Sequence, residues 1–251
     1  MKGTLFLKPL EFSLFAEGES WNQGDTISGK LKIRNHSSET VSLEGLHVSF
    51  GWGDLKKVHQ KSPEAFDLLN RAALTTPALK SQDSVELDWK LQTHLNFPIT
   101  DTTSSVFLLY GLGDATEKLG QLQVSIKPAP IIQEFLKAVT IQFRFVIKTL
   151  KASKTGVNVK LSPPAARAFS NVEQLMLRFD LDETNLNVDY EFQVKSMSAT
   201  PGPSDLKKQK KELSQALVTK DLYDSAGRPR HEKIEGYIRE AVDLVESKIS
   251  Y

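Results

Sequence analysis

The sequence contains no cysteine. Disulfides, thiol nucleophiles, iron–sulfur clusters and every zinc site that needs sulfur are therefore excluded, and such a chain suits a reducing compartment. No run of about 18 apolar residues, the length a bilayer-crossing helix requires, occurs anywhere. The stretch from Met1 to Pro9 is apolar only briefly and is broken by Lys8 and Pro9, too short for a signal-peptide core. The expectation is a soluble, cytoplasmic protein. Charge of one sign is also missing: 32 basic against 31 acidic residues give a formal +1. No global field draws nucleic acid or an anionic membrane surface, so any basic partner site has to be local.

Catalytic signatures are lacking as well. The histidines His36, His47, His59, His94 and His231 are scattered, and none forms a His-x-x-x-His or Glu-x-x-His pair that would place two metal ligands on one helix face. There is no Gly-x-Ser-x-Gly elbow, no P-loop and no Gly-x-Gly-x-x-Gly after a strand; Gly111-Leu112-Gly113 has no third glycine at the required spacing. Asp180 and Asp182 share a strand face at period 2, but with Glu183, Thr184 and Asn185 following they read as a solvated turn. No enzyme, metal or cofactor is expected. Trp89 alternates with charges and reads as core, whereas Trp52, between Gly51 and Gly53, is a candidate for an exposed stacking ring.

What the chain has is alternation. With 251 residues it is long enough for one large or two modest domains. Ile27, Leu31 and Ile33 alternate with Ser28, Lys30, Lys32 and Arg34, and the same period-2 pattern recurs in Leu10 to Ala16, Val85 to Leu91 and Leu122 to Ile126. Such strands bury one face, as in antiparallel sandwiches. Between Val41 and Phe50 the apolar parity switches at Gly45, which predicts a bulge. Ser62, Pro63, Phe66 and Leu69 predict a short helix in an inter-strand excursion. The turn at Trp21, Gly24 and Asp25 has to be tight, with positive φ at Gly24.

Pro128-Ala129-Pro130 then breaks the alternation, and Ile131, Ile132, Phe135, Leu136 and Val139 fall at helical spacing. A brief linker helix is expected there, with Phe135 and Leu136 in a domain interface. Strands follow at Val139 to Leu150, Val157 to Leu161, Leu175 to Leu181 and Leu186 to Val194. After Pro201-Gly202-Pro203 the pattern turns helical, with Leu206, Leu213, Ala216 and Leu217, then Ile234, Tyr237, Ile238, Ala241, Val242, Val245 and Ile249. Those apolar residues either pack on their own chain or bind a protein partner or a second copy. Lys207, Lys208, Lys210 and Lys211, four positive charges against Asp205, make a local +3 that is either a solvated helix face or a contact for an acidic partner or anionic lipid.

The segment Trp21-Asn22-Gln23-Gly24-Asp25-Thr26-Ile27-Ser28-Gly29-Lys30-Leu31-Lys32-Ile33 resembles the signature of the arrestin-like family: an aromatic, two residues, Gly-acidic, then hydrophobic-Ser-Gly leading into an alternating strand. Asn96-Phe97-Pro98-Ile99-Thr100, Val106 to Tyr110 and Leu122 to Pro128 look like the closing segments of that domain. The linker helix and the reduced second unit, with Val159-Lys160-Leu161-Ser162-Pro163, are most similar to the bacterial sporulation-control branch. Gln23 stands where the family turn usually has proline. The resemblance implies an all-β protein of two tandem arrestin-like β-sandwich units, residues 1–128 and 129–200, with a helical extension over 201–251. It makes Trp21, Gly24, Asp25 and Gly29 structural turn residues. The function implied is a non-enzymatic scaffold or regulatory adaptor that binds protein partners through sheet faces, loops and the tail; the rival reading is a carbohydrate- or other ligand-binding β-sandwich module.

Overall fold

The computed structural model describes residues 1–153, 156–196 and 207–245. The chain divides into two compact units, Met1–Lys127 and Pro128–Tyr251. Unit 1 contains β1 (Lys2–Leu7), β2 (Leu10–Ala16), β3 (Ser20–Asn22), β4 (Thr26–Asn35), β5 (Leu46–Asp54), α1 (Leu55–His59), β6 (Phe66–Ala73), β7 (Ser84–Gln92), β8 (Ser104–Leu112) and β9 (Gly120–Lys127). They form two sheets, a four-stranded one in the order β1-β2-β4-β7 and a five-stranded one in the order β3-β9-β8-β5-β6.

The alternation in sequence becomes the sandwich core. Phe12 and Leu14 of β2 lie opposite Ile33 and Leu31 of β4, and those in turn face Val85 and Leu87 of β7. Val48 and Phe50 of β5, with Val106, Leu108 and Tyr110 of β8, close the same core from the other sheet. Each fully buried apolar side chain of this size contributes about 1.5–3 kcal/mol. Trp21, Trp52 and Trp89 all belong to this core or pack against it, so Trp52 is not an exposed stacking ring.

Two local expectations in unit 1 are corrected. Gly45 is not a bulge: it has φ +78° in the turn that precedes β5, closed by Leu46 N donating to Leu43 O, while Val41 forms an isolated bridge with Leu79. The short helix is α1, starting seven residues before Ser62, with Asp54 accepting from Lys57 N as its cap. Ser62-Pro63 instead opens a turn, Ala65 N donating to Ser62 O, and Phe66 begins β6. Pairing with β5 decides this, because Gly53 and Gly51 lie opposite Phe66 and Leu68 and leave room for the Phe66 ring.

Unit 2 contains α2 (Pro130–Ile141), β10 (Val146–Ser153), β11 (Gly156–Ser162), β12 (Val172–Leu181), β13 (Asn185–Ser196), β14 (Lys207–Val218) and α3 (His231–Asp243). The linker helix is present, with Pro130 in its first turn, where a missing N–H costs nothing. Val139 completes it: one turn after Phe135, it continues the buried stripe, so the next strand starts only at Val146. The five strands form one antiparallel sheet in sequence order.

One face of that sheet is apolar through Val159, Leu177, Phe179, Val188, Tyr190 and Leu217. Where a sandwich was expected to supply a second sheet, the described residues supply helices. Phe135 packs edge-on against Phe179 at 5.4 Å and reaches Tyr190 at 6.4 Å, and Gln215 of β14 donates to Tyr237 O of α3. Phe135 and Leu136 are thus buried, Phe135 in the core of unit 2 itself. The segment Leu206 to Leu217 is also corrected. Its described part, from Lys207, is strand and not helix, paired with β13 along its length. Leu213 and Leu217 lie opposite Tyr190 and Leu186, a period-2 placement that overrides the helix propensity of its lysines and glutamate.

Candidate functional site

The family-like turn is a built element. Asp25 N donates to Asn22 O, and Gly24 has φ +91° at the third position, the geometry that a tight turn with glycine there requires. The Asp25 carboxylate accepts from Asn22 N at 2.7 Å. Gln23 does what proline could not: its backbone N donates to Lys127 O, extending the β3 and β9 pairing, and its buried side chain donates to Phe97 O at 2.5 Å. At Gly29 a Cβ would come within 1.9 Å of Phe15 O, so only glycine fits. These residues hold the sandwich together and present no reactive group.

The C-terminal candidates are placed largely inward. Ile234, Ile238, Val242 and Val245 are buried within the folded chain, so they offer no surface to a partner, and Tyr237 is half-buried. Ile249, Leu206 and Ser204 lie outside the described residues, as do the side chains of Lys207 and Lys208. The lysine run sits on β14, an edge strand, where lysines discourage pairing with a foreign strand. Lys211 Nζ donates to Leu244 O at 2.7 Å, placing a cation at the C-terminal end of α3, the negative end of the helix dipole. Lys210 Nζ lies 2.9 Å from a Glu191 carboxylate oxygen, which raises the lysine above its ordinary range.

Glu191 leads to the surface that sequence reasoning missed. The outward face of the unit 2 sheet carries a groove of about 490 Å³. The outward residues of the sheet are ordered in rows by strand register, and of these Lys151, Thr149 and Lys160 lie outside the groove itself. One row runs Lys151, Asn158, Arg178, Asp189, Ser214 from β10 to β14; the next runs Thr149, Lys160, Met176, Glu191, Glu212. Gln174 and Gln193 flank them toward Lys210. The face mixes the two signs: Lys151, Lys160, Arg178 and Asp180 lie over β10 to β12, and Asp189, Glu191, Glu212 and Lys210 over β13 and β14. Glu191 and Glu212 face each other directly, an arrangement that costs the sheet several tenths of a kcal/mol and that Lys210 offsets only from the side. The signal was present as polar and charged residues at every second position of β12 and β13, among them Arg178, Asp180, Asp189 and Glu191, but such a pattern reads as an ordinary solvated face.

Asp182, paired with Asp180 in the sequence reading, is a turn residue. Its carboxylate accepts from Thr184 N, Asn185 N and Thr184 Oγ1, and these bonds hold it below the usual carboxylate range. Asp180 lies on the outward side of β12, opposite Asn187. His36 contacts Glu11 at 2.8 Å and His94 stacks edge-on against Phe97, so each has a local partner. Among the described residues no group of three His, Asp or Glu side chains is placed to hold a metal ion, and no helix is long and apolar enough to cross a membrane. The groove can recognise charge and backbone; it holds no nucleophile paired with a base.

No family model and no curated protein matches this sequence. A solved structure does: the sporulation control protein Spo0M from Bacillus subtilis superposes with a TM-score of 0.65 at 12% identity, over 95% of this chain and 100% of that one. A β-glucosidase from Listeria innocua aligns over 47% of this chain and 16% of its own at 15% identity, with a TM-score of 0.29 that carries no argument. Two consecutive β units with a C-terminal helix, matched along nearly the whole chain, give this protein the fold of the sporulation control protein Spo0M.

Proposed function

We propose that this protein is a non-enzymatic regulatory scaffold that docks a protein partner on the outward face of unit 2. The observation that carries the reading is the groove itself, a recessed, charge-bearing sheet face on a fold matched over 95% of the chain by a protein named for sporulation control. Fold alone does not confer function, so the face has to do the recognising. The carbohydrate-binding alternative is disfavoured because all three tryptophans pack on the core of unit 1 and leave no indole platform for a sugar. The absence of cysteine suits action in a reducing cytoplasm.

The test is affinity capture from the source organism with the full-length protein and with the double variant Glu191→Lys, Glu212→Lys, followed by reconstitution with purified components. Proteins captured by the wild type should be lost with the variant while its thermal unfolding is unchanged. An identical captured set with both proteins would reject this face as the docking surface, and specific binding on a glycan array would favour the rival module.

A further inference from the structure

We propose that the edge of β10 takes up an extended acidic segment of a protein partner as an added strand, a segment in which carboxylates alternate with aliphatic side chains. This is a second surface, beyond the docking reading of the unit 2 groove, since Lys151 and Lys160 lie outside that groove.

The backbone sets the kind of occupant. β10 ends the order of the unit 2 sheet, paired with β11 on one side and with no other strand among the described residues. The free side of such a strand presents N–H and C=O groups in alternation, which an extended chain satisfies and a phosphate, accepting only, does not.

Charge sets its sign. From Ala138 to Val172 the sequence holds Arg144, Lys148, Lys151, Lys154, Lys160 and Arg167 and no Asp or Glu, although the whole chain is only +1. Lys148, Lys151 and Lys160 make no ion pair among the described residues, whereas Lys30, Lys195, Lys210 and Lys233 each lie against a carboxylate. Register places Thr149 and Met176 on either side of Lys160, and Asn158 beside Lys151, none of them acidic.

The pleat sets the pattern. Ile147 and Leu150 lie opposite the buried Leu161 and Val159, on the apolar side of the sheet, while Thr149 and Lys151 lie opposite Lys160 and Asn158 on the outward side. Val146 and Ile147 are 53% and 37% exposed, and Ile141 at the end of α2 is 68% exposed, so this edge leaves aliphatic surface open. A strand added here meets aliphatic side chains on one face and cations on the other, and residues alternating between aliphatic and acidic answer both.

Lysines and the bulge between Ile147 and Thr149 ordinarily protect an edge from foreign strands. That protection is selective, because lysines repel a basic strand and attract an acidic one. A second copy of β10 would set one lysine-bearing edge against another. Nucleic acid would find no exposed ring to stack on, since Phe143, Phe145 and Phe169 are buried.

The experiment measures binding of fluorescein-labelled octapeptides to the full-length protein by anisotropy. The probes are a peptide alternating Glu with Val, the same peptide with Lys in place of Glu, and the Glu peptide with alternate backbone nitrogens methylated. Only the first should bind, and its affinity should fall at least about tenfold with Lys151→Glu, Lys160→Glu, both exposed positions, with thermal unfolding as the control for folding. Should that pair fail to fold, Lys160→Glu alone replaces it. Equal binding of the methylated peptide would overturn strand addition, and so would no binding of the Glu peptide. Single-stranded oligo-dT or phosphatidylglycerol vesicles binding where the Glu peptide does not would make the basic hairpin a phosphate surface and refute the proposal. The groove variant Glu191→Lys, Glu212→Lys should leave peptide affinity unchanged; a loss there would move the peptide into the groove and overturn the edge while leaving the docking face standing.

Discussion

On the outward side of β5 and β8 the residues are His47, Ser49, Gly51, Gly53, Ser105, Phe107 and Leu109, and every one is buried. On the outward side of β12 and β13 they are Gln174, Met176, Arg178, Asp180, Asn187, Asp189, Glu191 and Gln193, exposed or half-buried throughout. Both sets alternate with core residues, so both belong to the face turned away from the main core. The difference lies in what covers them. In unit 1, Leu55 and Val58 of α1 and Phe66 of β6 pack with Phe107, Leu109 and Leu119 into a second, smaller core, Phe66 meeting Phe107 edge-on at 5.2 Å. In unit 2 the helices cover the opposite, apolar face. A β unit of this kind can close an outer face with an excursion, which then demands glycine, serine and aromatics, or leave it open, which demands charge.

The largest way to break the comparison is to remove what closes unit 2. Truncation after Thr200 deletes β14 and α3, and with them the strand neighbours of Leu186 and Tyr190 and the buried side chains of α3 such as Ile238. Unit 2 is expected to lose its fold, while unit 1 keeps its own core, read as unit 2 becoming protease-sensitive in limited proteolysis. Survival of both units would show that the C-terminal segment is an appendage.

A closed face and an open face should also differ in their response to truncation of one side chain. Phe66→Ala should cost about 2 kcal/mol, below the ~3–5 kcal/mol of a fully buried phenylalanine because its ring is half-buried. Met176→Ala, on the open face, should cost under about 1 kcal/mol. Denaturant unfolding of the two variants checks this, and equal losses would erase the distinction.

Gly24→Ala should destabilise by about 1 kcal/mol, since its φ of +91° is unfavourable for any residue with a Cβ. An unchanged unfolding midpoint would mean that the turn relaxes to an ordinary one.

The smallest effect concerns His47 under the closed face. Burial is the main cause holding its imidazole below the ordinary 6.5, and Nδ1 lies 3.1 Å from Gly45 O. The folded chain therefore resists protonation that the unfolded chain accepts. Stability should fall as pH drops below about 6.5, and His47→Gln should flatten that slope between about pH 7 and pH 5. Parallel slopes would show that His47 titrates freely.

By itself the sequence determined the clearly alternating strands such as β2, β4, β7 and β9, the tight Gly24 turn, the linker helix and the absence of cysteine chemistry, because period-2 burial, turn residues and composition act within a few residues of chain. Tertiary structure decided the rest. Lys207 to Val218 became a strand because β13 offered twelve residues of backbone partners, an energy no local window contains. Ser62 to Leu69 gave up its helix because Gly51 and Gly53 made room for Phe66 on the neighbouring strand. The groove was hidden for the same reason: Arg178 and Asp189 stand eleven residues apart, and only strand register sets base beside acid and leaves the face uncovered.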